Sequence, residues 1–193
     1  MEVGRVKSFS DGVFAIAATL LAFNIKLPDQ TDQPFGALAD KLWPQIMAFL
    51  ISFIVASFYW RIHNRLFLLV HRVDSRLGIL NTALLAVVCL MPFSSSLIAS
   101  GRTGSGAVIL YALTITATGY INAGMWLYAA MSPGLMAPNA TKHHFWPWFW
   151  IACITPTMFL LSAAVALYSV PLAMQSWSLL ILFLPLARRI SRR

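Results

Sequence analysis

Six long apolar segments, separated by short polar breaks, constrain this chain more than any other feature of its sequence. They cover residues 7–27, 43–63, 77–100, 107–131, 145–168 and 170–187, and each is close to the ~20 residues that a helix needs to cross a bilayer. Only 10% of the 193 residues are charged, whereas a soluble domain carries roughly 25%. The sequence therefore predicts an all-α integral membrane protein with one transmembrane domain over residues 1–193.

The basic residues predict how the chain is oriented. With six crossings, both termini and the loops after the second and fourth segments lie on one side. That side carries Arg5, Lys7, Arg61, Arg65, Arg72, Arg76, Lys142, Arg188, Arg189, Arg192 and Arg193. The other side carries only Lys26, Lys41 and Arg102. An excess of Lys and Arg marks the cytoplasmic side, so we expect a multi-pass protein of the cell membrane with both termini in the cytoplasm. The scattered basic residues form no dense patch, which argues against a nucleic-acid partner.

The first segment has two different faces when it is drawn as a helix of 3.6 residues per turn. Ile16 shares one face with Thr19, Leu20 and Phe23, following the i, i+3, i+4, i+7 rule. Asp11 lies about 140° away on the same projection. The carboxylate is therefore expected to face other parts of the protein and not the apolar stripe.

Asp11 needs a partner, because an ionised carboxylate facing lipid costs at least ~2.5–3.5 kcal/mol at mid-membrane. Polar residues of matching depth end the second segment and begin the third. We predict a polar staple at the cytoplasmic edge, in which Arg5, Ser10 and Asp11 bond with His63, Asn64 and Asn81. The alternative is that Asp11 is simply an acid at a helix start, favoured by the helix dipole and free N–H groups.

The start of the first segment also carries a recognisable motif. Arg5, Phe9, Ser10 and Asp11 form R-x-x-x-F-S-D, which continues as GVFAIAATLL. This motif resembles the signature of the lysosomal potassium channel family, in its bacterial and archaeal branch. The aromatic–His stretch that ends the second segment and the later Asn81, Pro92 and Phe93 are also similar. In such a protein the motif residues hold the first helix against its neighbours. The residues assigned to this network are Arg5, Phe9, Ser10, Asp11, Trp60, His63, Asn64 and Asn81.

The resemblance implies a homotetramer in which the first helix of each subunit lines a central pore. Narrow rings of apolar side chains, with a threonine ring nearby, then discriminate potassium from sodium. Carried over by distance from the motif, these positions are Ile16, Thr19, Leu20 and Phe23. Phe23 departs from the family, which usually has an aliphatic residue there. The expected function is a weakly to moderately potassium-selective channel, with K⁺ as the permeant ion and no cofactor or metal. The alternative is that the stripe simply packs against protein or lipid.

A secondary transporter of a small solute or ion is the competing function. It requires a polar site at mid-membrane, for which the sequence offers Pro92 to Ser96 and a face with Thr114, Thr116, Thr118 and Asn122. Such hydroxyls more often hold helices together.

An enzyme is not expected. His143 and His144 adjoin each other, but they have no Cys, Asp or Glu at ligand spacing. The sequence contains no Ser/His/Asp set and no phosphate-binding loop.

Overall fold

The computed structural model describes residues 2–27, 34–100, 104–137 and 142–177. Within these ranges the chain forms six helices: α1 Val3–Ala22, α2 Phe35–Leu69, α3 Ser75–Ala99, α4 Ser105–Met131, α5 Lys142–Val165 and α6 Val170–Ser176. The predicted all-α fold is therefore confirmed. Residues 178–187, the remainder of the predicted sixth segment, and the basic residues that follow lie outside the described residues.

Four stretches of the described residues are long and apolar enough to cross a membrane. They are α2, α3, α4 and the Trp148–Val165 part of α5. The first helix differs because Arg5, Lys7 and Asp11 all lie in its first half. The second half of α1 carries no charged residue, and Thr19 is its only polar side chain.

The second helix is much longer than the predicted segment 43–63. It runs for 35 residues, which corresponds to about 52 Å at 1.5 Å per residue, and it includes residues 64–69 of the stretch expected to be a connector. The reason is that residues 45–69 contain no Gly or Pro, so nothing in the sequence stops the helix at its polar residues. Ile62, Leu66 and Phe67 bury one face of this extension, while Arg61 remains exposed.

The first helix is shifted towards the N-terminus relative to the predicted segment 7–27. It begins at Val3, after an extended Glu2, and ends at Ala22, with Phe23 as its C-terminal cap. Asp11 is thus more than two turns inside the helix. Free N–H groups are confined to the first turn, so the alternative that Asp11 is a helix-start acid is wrong.

The centre of the subunit is α4, which packs against α3 and α5, whereas α1 packs against α2 and α3. A close approach between α4 and its neighbours depends on Gly119. A Cβ added there would lie 2.6 Å from both the Pro156 Cβ and the Tyr59 hydroxyl. Only glycine therefore fits where α4 passes α2 and α5.

Two connectors at the same end of the bundle pair with each other. Val70 and Met136 form an isolated antiparallel bridge. The His71 N–H donates to the Leu135 carbonyl at 2.7 Å, and the Ala137 N–H donates to the Leu69 carbonyl at 2.8 Å. The end of α2 and the end of α4 are thereby joined through backbone hydrogen bonds.

Asp74 caps α3 and connects it to α4. Its Oδ1 accepts from the Leu77 N–H at 2.8 Å, as an N-cap residue should, and its Oδ2 accepts from the Tyr128 hydroxyl. The Tyr128 hydrogen bond, followed by the Leu77 N–H, holds the pKa of the Asp74 carboxyl below its usual value. The ionised carboxylate is thus the form that holds this junction together.

Candidate functional site: the first helix

One face of α1 is buried against the rest of the subunit. The buried residues are Val6, Ser10, Phe14, Ala17 and Leu21. Their spacing of three and four residues forms a single stripe along the helix. This stripe is mixed, because a serine sits among apolar side chains.

The opposite face of α1 is not covered by the subunit. The side chain of Ile16 is 62% exposed, that of Leu20 45% and that of Phe23 76%, and Thr19 is also exposed. The Thr19 hydroxyl donates to the Ile16 carbonyl at 2.8 Å. The four residues that the family resemblance assigned to the pore therefore lie together on an outward-facing surface, with a hydroxyl oxygen among apolar side chains.

A buried hydrogen-bond chain fixes the other face of α1. Asn81 Nδ2 donates to the Ser10 hydroxyl at 3.1 Å, and the Ser10 hydroxyl donates to the Val6 carbonyl at 2.9 Å. Asn81 Oδ1 lies 2.8 Å from His63 Nε2. With the amide oxygen on this side, His63 Nε2 is the donor and Asn81 Oδ1 the acceptor. The chain thus joins α1, α3 and α2 in that order.

Aromatic rings surround the imidazole of His63. Its ring centre lies 5.6 Å from that of Phe14 and 4.6 Å from that of Phe67. His63 is fully buried, and its Nδ1 has no hydrogen-bond partner among the described residues. The imidazole is therefore held by one hydrogen bond and by packing, which fixes its orientation.

The hydrogen-bond partner of Asp11 is Trp60, and not His63, Asn64 or Asn81 as the polar staple predicted. Its Oδ1 accepts from the Trp60 indole N–H at 2.8 Å. The structure thus brings together two groups from the predicted network: Ser10, Asn81 and His63 in one, Asp11 and Trp60 in the other. Both tie α1 to α2, and the first also includes α3.

Three residues of the predicted network do not join these hydrogen bonds. Arg5 and Phe9 are exposed, and both line a surface depression that also contains Asn81. The Oδ1 of Asn64 is buried without a partner among the described residues. The structure therefore places Ser10 and Asp11 of the R-x-x-x-F-S-D motif, and not Arg5 or Phe9, in the hydrogen bonds that hold α1.

A further tie at the other end of α1 was not predicted. Asn24 Nδ2 donates to the carbonyl of Pro92 at 2.9 Å, within the proline-containing part of α3. A lone asparagine after an apolar run was the available signal, but the sequence alone does not indicate which carbonyl it reaches. The two ends of α1 are thus both attached to α3.

The residues proposed for a transporter site are engaged in helix contacts. Thr114 and Thr118 each donate to a carbonyl one turn earlier in α4, at 2.8 and 2.9 Å. Thr116 donates to the Pro156 carbonyl at 3.3 Å, and Asn122 Nδ2 donates to the Tyr59 carbonyl at 3.3 Å. The Thr116 and Asn122 bonds hold α4 against α5 and α2.

The described residues contain no group of three or more His, Cys, Asp and Glu that could hold a metal ion. The side chains of His143 and His144 lie outside the described residues.

Comparison with known proteins shows which family the chain resembles. Residues 5–92, which include the motif, His63, Asn81 and Pro92, match the family model described as the endosomal/lysosomal potassium channel TMEM175. A potassium channel of Chamaesiphon minutus is 36% identical over 74% of this chain and 73% of its own length. A potassium channel of Streptomyces collinus is 37% identical over 72% and 69%.

A solved structure extends the similarity to nearly the whole chain. It is the crystal structure of a lysosomal potassium-selective channel TMEM175 homologue from Chamaesiphon minutus. It superimposes with a TM-score of 0.83 at 30% identity and covers 96% of this chain and 97% of that one. The fold and the first helix thus define an integral membrane protein of the ion-channel class, and the prediction that the chain is not an enzyme is confirmed. This chain belongs to the TMEM175 family, as its motif indicated.

Proposed function

We propose that this chain forms a potassium-permeable cation channel in which four copies surround one pore. In the proposed assembly α1 of each copy faces the axis, and Ile16, Leu20 and Phe23 form apolar rings, with Thr19 between them. The observation that carries the proposal is the division of α1 into a hydrogen-bonded face and an uncovered apolar face. When four copies are arranged around an axis, the same apolar stripe is repeated four times, so one helix from each subunit is enough to line a pore.

The chemistry of such a ring favours potassium over sodium. An apolar constriction can exclude water when empty and remove part of an ion's hydration shell when it conducts. Potassium loses its hydration water more readily than sodium, so an apolar ring favours potassium. The preference is weak because the ring offers no ligands of its own. The Thr19 hydroxyl proton is already donated within its own helix, so the hydroxyl oxygen is free to accept and can replace some of the water that the ion loses.

The relatives support a potassium channel in this chain, since two curated relatives at 36% and 37% identity carry that name. The basic residues support a cell-membrane protein with cytoplasmic termini. The hydroxyls of α4 weigh against a transporter, because their hydrogen bonds are used between and within helices.

The direct test is to reconstitute the purified chain in a planar bilayer and measure the reversal potential under a potassium/sodium gradient. We expect a reversal potential displaced towards that of potassium. Ile16→Asn should change the potassium/sodium permeability ratio or increase the current, because a polar amide removes the apolar ring. Leu161→Asn is the matched control, since Leu161 is 63% exposed on α5. It should leave the permeability ratio unchanged.

Two outcomes would overturn the proposal. Equal effects of Ile16→Asn and Leu161→Asn would mean that Ile16 faces lipid and not ions. Transport that saturates with ion concentration and shows no single-channel steps would indicate a carrier. The subunit number is tested separately by native mass spectrometry of the chain in detergent, where we expect a complex of four copies.

A further inference from the structure

An open cleft of about 300 Å³ lies between α1 and α2, on the side of α1 that carries Asp11. We call it the Asp11–Trp60 cleft. The residues that line it are Asp11, Phe14, Ala15, Ala18, Ala56, Ser57 and Trp60. Three of them are alanines, whose short side chains leave the space that larger residues would fill. Pockets that bind small molecules are mostly apolar and contain a few placed polar groups, and this cleft has that composition.

The carboxylate of Asp11 is the one charged group among the residues that line the cleft. Its side chain is only half-buried, and Trp60, which donates its indole N–H to Oδ1 at 2.8 Å, is 37% exposed. A carboxylate can accept several hydrogen bonds at once, so the bond from Trp60 leaves it able to accept others. A ligand that enters the cleft therefore meets a negative charge that is already held in place.

The lining suits an organic cation better than a bare metal ion. Ca²⁺ takes roughly six to eight oxygen ligands, whereas Asp11 and Ser57 are the only lining residues with an oxygen in the side chain. An organic ammonium ion needs fewer polar partners. Its N–H groups can donate to the carboxylate, its charge is attracted to aromatic rings such as that of Trp60, and its apolar body can lie against the alanines.

The basic residue that competes for Asp11 along α1 is Lys7, one turn earlier. Residues at i and i+4 share one face of a helix, and the Lys7 side chain is half-buried. Lys7 is not among the residues that line the cleft. Its ammonium group opposes a cation bound at Asp11, so Lys7→Gln should strengthen the binding of such a cation.

We infer that the Asp11–Trp60 cleft binds a small organic cation, with a primary ammonium group on an aromatic or apolar body of about the size of a benzyl group. The ammonium group donates to the Asp11 carboxylate. The body lies among Ala15, Ala18 and Ala56, beside the Trp60 ring. Charge complementarity at Asp11 sets the sign of the ligand, and the three alanines set its size.

The test is ligand binding to the full chain in detergent, measured by isothermal titration calorimetry and by the thermal unfolding temperature. Benzylammonium is the probe. Benzyl alcohol, which has nearly the same shape but no charge, is the matched control ligand. We expect benzylammonium to bind and to raise the unfolding temperature. Benzyl alcohol should bind about tenfold more weakly, because a charge-assisted hydrogen bond is worth about that factor.

Variants separate the contribution of charge from that of space. Asp11→Asn retains an oxygen that can accept from Trp60 but removes the charge, so it should bind benzylammonium about tenfold more weakly and benzyl alcohol as before. Asp74→Asn is its control, because Asp74 also accepts from an aromatic side chain, that of Tyr128, but lies outside the cleft. Ala15→Leu fills the cleft from an exposed position and should weaken the binding of both ligands.

Several results would overturn the inference. Absence of benzylammonium binding to the folded chain would show that the cleft does not accept such a cation. Equal affinity for benzyl alcohol would indicate simple apolar partitioning. Equal loss in Asp11→Asn and Asp74→Asn would indicate general attraction to acidic residues. If Asp11→Asn does not fold, Lys7→Gln and Ala15→Leu decide, and unchanged affinity in both contradicts the site. These measurements require no ion flux, so their failure is distinguishable from failure of the proposed channel function.

Discussion

The first and fourth helices are both apolar, but they occupy opposite positions in the subunit. Thirteen of the 27 residues of α4 are buried, against five of the 20 residues of α1. The hydroxyls of α4 bond to carbonyls within and around it, while the bonds that Ser10 and Asp11 of α1 make to other helices lie on one side of α1. Apolar composition alone therefore does not decide whether a membrane helix is central. The two helices differ in how their polar contacts are distributed.

The largest expected effect tests whether α4 is the centre of the subunit. Gly119→Ala forces a Cβ to within 2.6 Å of Pro156 and Tyr59, and we expect a loss of about 3 kcal/mol of stability, at the upper end of typical overpacking. Thermal unfolding in detergent measures it. Gly124→Ala, on the same helix with open space around the added atom, should change stability little. Equal behaviour of the two variants would contradict the packing at Gly119.

An intermediate effect tests the hydrogen-bonded face of α1. Asn81→Leu leaves the His63 imidazole and the Ser10 hydroxyl buried without their partner, and we expect a loss of about 2 kcal/mol from unsatisfied polar groups. The control is Thr82→Ala, because the Thr82 hydroxyl bonds only within its own helix, to Gly78. If the two variants unfold at the same temperature, the chain from Ser10 to His63 does not hold α1.

The smallest effect tests the junction between α3 and α4. The folded pKa of Asp74 is depressed, so its contribution to stability is present above the carboxyl's unfolded pKa and is lost as the pH falls through the folded value. We expect Asp74→Asn to unfold at a slightly lower temperature than the parent chain at pH 7. The difference should disappear in acid. A difference independent of pH would contradict an ionised hydrogen-bonded carboxylate.

The sequence predicted the helices and the family because both depend on strong local signals. Hydropathy identifies segments of membrane length, and R-x-x-x-F-S-D is specific. The ends of α2 were not predictable in the same way, because the amphipathic stretch after Arg61 resembles a polar connector until its buried face is known. Ile62 and Leu66 become core residues only when α2 has neighbours.

The network around α1 was predictable in part for a similar reason. Polar residues at matching depth indicated that Ser10, His63 and Asn81 would meet, and they do. The pairing of Asp11 with Trp60 was harder to predict from the residues, because a tryptophan near the end of a membrane helix is ordinarily explained by its preference for the membrane–water interface. The coordinates are what identify the Trp60 indole N–H as the donor to Asp11.

The paired connectors at Val70 and Met136 have a mechanical consequence. Two backbone hydrogen bonds make the ends of α2 and α4 a two-stranded clasp, and Asp74, four residues after Val70, attaches to α4 through Tyr128. A pull on the chain just after Ala137 is therefore transmitted to α2 and α3 together. At this end of the bundle α2, α3 and α4 are thereby mechanically coupled, while α1 is held to α2 and α3 by its buried apolar face as well as by its side-chain hydrogen bonds.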